Sequence, residues 1–99
     1  MTPYNVIIQP EAEADLDDAF EYLEAQKSTL GFDLLAEVVT ILEILEENPF
    51  LFQKVHGEMR RAVTRRFGYN VIYVVKEKEV FILAIMHGSR NPKRWQERK

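Results

Sequence analysis

The side chains in this chain that could act on a phosphate lie near two predicted strand ends in its second half. His87 is followed three residues later by Arg90, and Tyr69 follows an arginine-rich segment that contains Arg65. A histidine titrates near neutral pH, a tyrosine hydroxyl can donate a proton, and guanidinium groups bind phosphate oxygens bidentately. This set supplies the base, the acid and the cations needed to cleave RNA through its own 2′-hydroxyl.

The same residues also have an ordinary structural interpretation. A histidine at the end of a strand can simply bond to nearby backbone, and strand tyrosines are more often core aromatics with a hydrated hydroxyl than catalysts. A basic strand with one histidine occurs in proteins of many functions. The set is therefore sufficient for a nuclease but does not identify one.

A second group of candidates lies in the C-terminal segment GSRNPKRWQERK, where basic side chains surround one tryptophan. Its glycine lets the chain turn out of a strand, and Pro92 restricts the path that follows. Arginine and tryptophan dominate the energetics of protein interfaces. The candidates for contact with a partner are therefore Arg90, Lys93, Arg94 and Trp95. The alternative is that the indole of Trp95 folds back into the core while the cations stay in solvent.

The distribution of charge points to an anionic partner. The net charge is only −3, but residues 1–59 hold 2 basic and 13 acidic residues, whereas residues 60–99 hold 11 basic and 3 acidic residues. Such asymmetry between two halves indicates that one surface faces an anion. The alternative is that the two halves neutralise each other within the fold.

Length and composition predict one globular domain over residues 1–99. The chain is 46% hydrophobic and 29% charged, has no cysteine and only two histidines, so disulfides and thiol chemistry are excluded and neither a metal nor a cofactor is expected. No run of about 18 apolar residues is present, and the start MTPYNVIIQP lacks a signal-peptide pattern. We therefore expect a cytoplasmic location and no membrane partner.

The first half of the chain predicts a strand and two helices. A β-branched segment, Tyr4–Gln9, favours a strand, and apolar residues at three- and four-residue spacing favour a helix from Pro10 to about Gln26. After a break at Lys27–Gly31, a second helix ends at Asn48-Pro49. Two helices joined by a short break should form an antiparallel hairpin. The main apolar stripe of the second helix is predicted to be Leu35, Val38, Leu42 and Leu45, widened by Leu34, Val39 and Ile41.

The second half predicts a connector, Phe50–Glu58, followed by strands. The β-prone segments are Arg60–Phe67, Tyr69–Val75 and Val80–His87, the last two joined by the polar loop KEKE. The predicted fold class is therefore α+β, with an N-terminal strand, an antiparallel helical hairpin, and a three-stranded antiparallel meander packed on the hairpin.

The last strand, VFILAIM, is apolar on both alternations. A helical hairpin covers only one face of a sheet, so the second apolar face is available to a partner. Strict alternation places Ile82 and Met86 on the same side of the strand, and both are candidates for this contact. The alternative is that the connector Phe50–Glu58 folds over that face.

In this order of elements the chain resembles the RelE/ParE superfamily of type II toxin–antitoxin toxins, often labelled plasmid-stabilisation proteins. The resemblance rests on PEAEADLDDAFEYL, on the Asn-Pro that closes the second helix, and on RFGYNVIYVV and ILAIMHGSRNPKRW. It implies a toxin that is held inactive by a cognate antitoxin encoded beside it.

The superfamily contains two activities, which imply different sites. RelE-like members are ribosome-dependent mRNA endonucleases, whereas ParE-like members inhibit growth by contact with DNA gyrase. Here Asn70 and Val63 stand where the RelE-type site has an arginine and a lysine, which favours the ParE-like activity. The RelE-like alternative would use His87, Arg90, Arg65 and Tyr69 as catalytic residues. The residues predicted to bind the target or the antitoxin are Arg61, Arg65, Arg90, Lys93, Arg94, Trp95, Ile82 and Met86.

Two other functions remain open at this level. One is a non-toxic protein-interaction module. The other is direct DNA binding, which the acidic composition of both predicted helices disfavours because a recognition helix is usually basic. The resemblance implies that DNA is read by the antitoxin, with the toxin contacting it only through that partner.

Overall fold

The computed structural model describes residues 3–98, and Lys99, the last cation of the basic C-terminal segment, lies outside them. The elements in this range are β1 (Asn5–Ile8), α1 (Pro10–Gln26), α2 (Leu30–Glu47), β2 (Lys54–His56), β3 (Met59–Val63), β4 (Tyr69–Lys76), β5 (Glu79–His87) and α3 (Lys93–Gln96). The predicted α+β class, with its N-terminal strand, helical hairpin and meander, is confirmed. Among the described helices, none combines the length and apolar character needed to cross a bilayer.

The strands in residues 3–98 form one mixed sheet in the order β1-β5-β4-β3-β2. β1 lies parallel to β5, from the pair Asn5 and Glu79 to the pair Ile8 and Ile82, and the other neighbours are antiparallel. The connector prediction needs correction, because Lys54–His56 forms the edge strand β2 beside β3. β3 is also shorter than predicted, since it ends at Val63 and the chain turns at residues 65–67.

The two helices cover one face of the sheet and form the main core with it. We call this cluster the helix-side core; its buried residues are Ala12, Ala19, Leu23, Leu34, Val38, Ile41, Leu45, Ala62, Tyr69, Val71, Tyr73, Val80, Ile82 and Ile85. The buried stripe of α2 therefore includes Leu34 and Ile41, whereas Leu35 and Leu42 of the predicted stripe are only half-buried. The prediction found the correct helix face but placed its centre one residue too far along the chain.

The hairpin closes through a glycine that the prediction had placed in the break. Gly31 lies in the first turn of α2, and its N–H donates to Glu24 Oε2 at 2.8 Å. A β-carbon at Gly31 would lie 2.8 Å from the carbonyl oxygen of Phe20 and 2.7 Å from its ring. The two helices can approach this closely only because residue 31 has no side chain.

A β-bulge in β5 overturns the predicted alternation of its side chains. Ile72 pairs with Ala84 but the next residue, Tyr73, pairs with Ile82, so Leu83 is the extra residue. An extra residue exchanges the two faces for everything beyond it. Ile82 and Ile85 consequently share the helix-side core, and Met86 faces the opposite side.

The opposite face of the sheet is largely closed by the chain itself. We call this cluster the far-side cluster; its buried residues are Met59, Ile72, Leu83, Ala84, Met86 and Trp95. The indole of Trp95, in α3, is 5% exposed. Of the two alternatives for Trp95, the structure therefore shows the indole folded back.

The predicted partner surface is corrected accordingly. Ile82 is fully buried beneath the helices, and Met86 and Trp95 are both buried in the far-side cluster. The connector contributes to this closure through His56, whose ring meets that of Trp95 edge-on with centroids 6.3 Å apart. Its preceding part, around Phe52, lies elsewhere. It is held at the opposite side of the sheet, where Arg60 Nη1 donates to the carbonyl of Phe52 at 2.7 Å.

Candidate functional site

The arginines divide into those that the fold uses and those that it leaves unpaired. Three of the seven have a partner: Arg60 bonds to backbone, Arg66 pairs with Asp33 at 3.0 Å, and Arg98 pairs with Asp15 at 2.6 Å. The ion pair between Arg66 and Asp33 of α2 joins the basic half of the chain to the acidic half, as one of the two alternatives for the charge distribution proposed. Within residues 3–98, the side chains without a hydrogen bond or ion pair are those of Arg61, Arg65, Arg90 and Arg94. Arg90 and Arg94 line one concavity, and Arg61 and Arg65 line another.

The first concavity, the tail pocket, has a volume of about 120 Å³ and lies between α1 and the C-terminal end of β5. Its polar lining consists of Asp15, Asp18, Tyr22, Tyr69, His87, Arg90 and Arg94. Three of the four predicted catalytic residues, Tyr69, His87 and Arg90, are thus brought together. The fourth, Arg65, lies in the other concavity, because β3 ends at Val63 and a turn carries the chain away.

The ring of His87 is fixed in one tautomer by Ser89. The backbone N–H of Ser89 donates to His87 Nδ1 at 3.1 Å, and the Ser89 hydroxyl lies 2.8 Å from the same nitrogen. Because a backbone N–H can only donate, Nδ1 is the acceptor and the neutral ring carries its proton on Nε2. Nε2 can therefore donate a hydrogen bond to a ligand, but it has no lone pair with which to accept a proton.

The phenol of Tyr69 is a weak acid in this pocket. Its ring meets that of His87 edge-on, with centroids 5.4 Å apart, and its backbone N–H donates to Thr64 Oγ1 at 2.9 Å. Burial raises the pKa of Tyr69, and the neighbouring Tyr22 raises it further, while Arg90 opposes both. A phenol with a raised pKa keeps its proton at neutral pH and transfers it less readily.

The segment that presents Arg90 and Arg94 is anchored on both sides. At its start the N–H of Gly88 donates to the carbonyl of Gly68 at 2.9 Å. At its end Arg98 donates to both carboxylate oxygens of Asp15, at 2.6 and 3.3 Å, and to the carbonyl of Leu83 at 3.0 Å. The two unpaired guanidinium groups therefore project from a fixed backbone.

Asp15 also replaces a missing strand neighbour for β5. β1 pairs with β5 only as far as Ile82, and beyond that point Asp15 Oδ2 accepts the N–H of Ile85 at 3.1 Å. Asp15, Ser89 and Arg98 were missed by the sequence analysis. For Asp15 a signal existed, since it lies between Ala12 and Ala19 on the stripe of α1 that faces the sheet, where an acidic residue requires a partner.

The second concavity, the edge groove, has a volume of about 370 Å³ and follows the β2–β3 edge of the sheet. It is lined by Leu51, Phe52, Gln53, Val55, Arg61, Val63 and Arg65. Two residues of the predicted binding set, Arg61 and Arg65, lie here. Lys93, also of that set, is exposed at the start of α3 and lines neither concavity.

The comparison with protein families gives a match over most of the chain. Residues 6–92 match the family described as the ParE toxin of the type II toxin–antitoxin system parDE. Among curated proteins, none gives a significant match to the sequence.

Three solved structures of similar fold illustrate the match. A chain of the chromosomal ParDE toxin–antitoxin system from P. aeruginosa is 18% identical, with a TM-score of 0.73 over 85% of this chain and 95% of that one. A chain of the RelBE2 toxin–antitoxin complex from Mycobacterium tuberculosis is 24% identical, with a TM-score of 0.64 over 86% and 98%. A copper-bound mutant toxin from Helicobacter pylori is 19% identical, with a TM-score of 0.53 over 87% and 96%. At these identities the similarity establishes the fold.

Proposed function

The chain belongs to the family of ParE toxins of type II toxin–antitoxin systems, and we propose that it stops growth by binding DNA gyrase and is neutralised by a cognate antitoxin. The target is a protein surface in this proposal, so the chain acts by contact and not by catalysis. The tail pocket, with Arg90 and Arg94 on a fixed backbone, is the surface that we assign to the target.

The observation that carries the choice of binding over cleavage is the tautomer of His87. Cleavage of RNA through its 2′-hydroxyl needs a group that accepts a proton. Nε2, the ring nitrogen that Ser89 leaves unbonded, carries a proton already. Arg65 lies outside the tail pocket, and the raised pKa of Tyr69 makes it a weaker acid, although Tyr69 and Arg90 do line the pocket with His87.

The proposal of a cognate antitoxin rests on the family and on charge. Two of the similar solved structures are described as toxin–antitoxin assemblies. Within residues 3–98, four arginines without a polar partner lie in two concavities on a molecule whose two long helices are strongly acidic. At Arg61 and Arg65, whose concavity has no acidic lining residue, an acidic partner segment would satisfy the cations without approaching the carboxylates of α1 and α2.

The proposed function predicts arrested growth and blocked supercoiling. Induction of the chain alone should stop growth, and co-expression of the small protein encoded by the adjacent reading frame should restore it. Purified protein should inhibit supercoiling by gyrase and leave ribosome-bound mRNA intact. Replacement of both Arg90 and Arg94 by glutamine should weaken the inhibition at least about tenfold. Lys76→Gln, at the end of β4 away from the tail pocket, should not change it. Normal growth at confirmed expression would contradict the proposal.

A second function, mRNA cleavage at the ribosome, is favoured by one observation. Tyr69, His87 and Arg90 line the same pocket, and the Nε2 proton of His87 is placed to bond a phosphate oxygen. Cuts at defined codons in ribosome-bound mRNA, abolished by His87→Ala and by Arg90→Ala, would establish this function in place of gyrase binding.

A further inference from the structure

We propose that the edge groove is the docking site for an acidic segment of the antitoxin, whose apolar side chains enter the groove while its carboxylates pair with Arg61 and Arg65. This inference rests on the proposed function, because it assigns the antitoxin to one of the two arginine-bearing concavities. It leaves the tail pocket to the target.

The first observation is a concentration of exposed apolar side chains. Leu51 is 59% exposed, Val55 36% and Val63 46%, and all three line the same groove. Single exposed apolar residues are common on proteins, but a contiguous group beside a concavity marks a surface that is completed by binding. The volume of about 370 Å³ is large enough to receive side chains of a partner.

The second observation is that the groove is held open by the fold. Tyr73 donates its hydroxyl proton to the carbonyl of Pro49 at 2.7 Å, and Arg60 donates to the carbonyl of Phe52 at 2.7 Å. These two hydrogen bonds fix the segment before β2, and both donors lie on the helix side of the sheet. Leu51 and Val55 are therefore kept at the rim, and a partner does not have to organise the groove before it binds.

The third observation is the sign of the charge. Arg61 and Arg65 have no side-chain partner within residues 3–98, and none of the seven lining residues is acidic. The tail pocket differs, since Asp15 and Asp18 are part of its lining. An acidic segment is therefore attracted to the edge groove without the repulsion that the carboxylates of α1 would add in the tail pocket.

Apolar surface and charge together select the class of occupant. A nucleic-acid backbone would satisfy the two arginines but would leave Leu51, Val55 and Val63 against charged phosphates. A polypeptide that alternates acidic and apolar residues satisfies both. Segments of this composition are commonly disordered alone and become ordered on binding.

The test compares two valines of equal exposure. Val63, in the groove, and Val39, on the outer face of α2, are each 46% exposed. With the protein encoded by the adjacent reading frame as the probe, titration calorimetry should show at least about tenfold weaker binding by Val63→Asp and unchanged binding by Val39→Asp. Arg65→Glu, in an exposed turn, should weaken binding by a similar factor and reduce its dependence on salt.

A second arm tests the chemistry of the groove without the antitoxin. The dye anilinonaphthalene sulfonate is apolar and anionic, so its fluorescence should rise with the wild-type chain and with Val39→Asp, and should rise much less with Val63→Asp and with Arg65→Glu. Circular dichroism of each variant checks that the fold is retained, and Arg65→Glu preserves the test if Val63→Asp perturbs the edge strand.

The outcomes separate this inference from the proposed function. If the wild-type chain binds the adjacent protein and both groove variants bind it equally well, the docking site is wrong while the antitoxin remains. If the wild-type chain does not bind that protein at all, the proposed function fails. Preferential binding of an RNA oligonucleotide in the groove, lost in Arg65→Glu, would replace the acidic segment by a nucleic acid.

Discussion

Two tyrosines on β4 show how burial sets what a side chain can do. Tyr69 and Tyr73 lie on the same face of the strand, and both belong to the helix-side core. Tyr69 reaches the rim of the tail pocket, whereas Tyr73 is fully buried and donates to the carbonyl of Pro49. Burial raises the pKa of Tyr73 to about 12, although Arg60 opposes the shift. The hydroxyl of Tyr73 is therefore a structural donor that holds the chain after α2.

The raised pKa of Tyr73 predicts a loss of stability at alkaline pH. The unfolded tyrosine loses its proton near pH 10 while the folded one keeps it until about pH 12, so the free energy of unfolding should fall across this window. The contribution lost between pH 9 and pH 11 should be about 1 kcal/mol. Urea unfolding of the wild-type chain and of Tyr73→Phe measures it, since the phenylalanine variant lacks this component. Parallel pH profiles for the two proteins would contradict the assignment.

At the scale of residues, the sequence predicted which side chains line the tail pocket, but it did not determine what each of them does. His87, Arg90 and Tyr69 were recognised from their types and spacing, and they do lie together. The role of His87 depends on a turn that places the N–H of Ser89 on its ring, and no pattern of residue types encodes that geometry. Arg65 was misplaced for a similar reason, because the end of β3 cannot be located from its alternation alone.

At the scale of elements, the helical hairpin depends on the absence of one side chain. Gly31 allows the backbone of α1 and α2 to approach, and its N–H is satisfied by Glu24 from the other helix. The residue before this turn of helix, Thr29, has a positive φ of 77° and makes no side-chain cap. The carboxylate of Glu24 therefore takes the place of a local cap for α2.

This dependence predicts that Gly31→Ala destabilises the protein although alanine favours helices. Helix propensity alone would stabilise the variant by about 1 kcal/mol. The new methyl group would lie 2.8 Å from the Phe20 carbonyl oxygen, which belongs to the backbone and cannot rotate away. We expect a net loss of about 1–3 kcal/mol in urea unfolding, as for other overpacked sites.

The matched control is Thr40→Ala on the exposed side of α2, which changes propensity without a new contact. It should be neutral or slightly stabilising. If Gly31→Ala proved as stable as this control, the close approach of the helices would not be a constraint.

The bulge in β5 marks a limit of sequence reasoning about elements. A period of two assigns every residue of VFILAIM to a face, and the assignment holds only as far as Leu83. Nothing in the composition distinguishes the extra residue, Leu83, from its neighbours, since all are apolar. The bulge is decided by the register of pairing with β4 and by the hydrogen bond that the N–H of Ile85 donates to Asp15, which is distant in sequence.

At the scale of the molecule, the C-terminal segment is a structural part of the sheet and not an appendage. Trp95 closes the far-side cluster, and Arg98 ties the end of the segment to α1 and to the bulge. The same segment presents Arg90 and Arg94 to the tail pocket. Closure of the second core and presentation of the candidate site are therefore achieved by one stretch of chain.

This arrangement predicts that Trp95→Ala costs stability and exposes an apolar surface. Removal of a buried tryptophan should lower the free energy of unfolding by about 3–5 kcal/mol, measured in urea. Trp95→Phe, which keeps part of the cover over Met59, Ile72 and Met86, should lose less. A loss below about 1 kcal/mol for the alanine variant would mean that the indole contributes little to the cluster.

The overall architecture was predictable to the extent that local signals determine it. The helices, the strands β4 and β5, and their antiparallel pairing follow from periodicity and from a two-residue polar turn. The position of β1 does not, because its parallel neighbour, β5, is separated from it by two helices and three strands. Burial of Trp95 could not be predicted either, because it depends on whether the folded sheet offers a cavity of the right shape next to α3.

The parallel pairing of β1 with β5 has a consequence for the cell that makes this protein. A ribosome releases Asn5–Ile8 first, yet the backbone groups of that strand have no partner until Glu79–Ile82 have also emerged. The nascent chain must therefore wait, with its first strand unmatched, until translation is almost finished. The sheet that carries both concavities can therefore close only after β5 has left the ribosome.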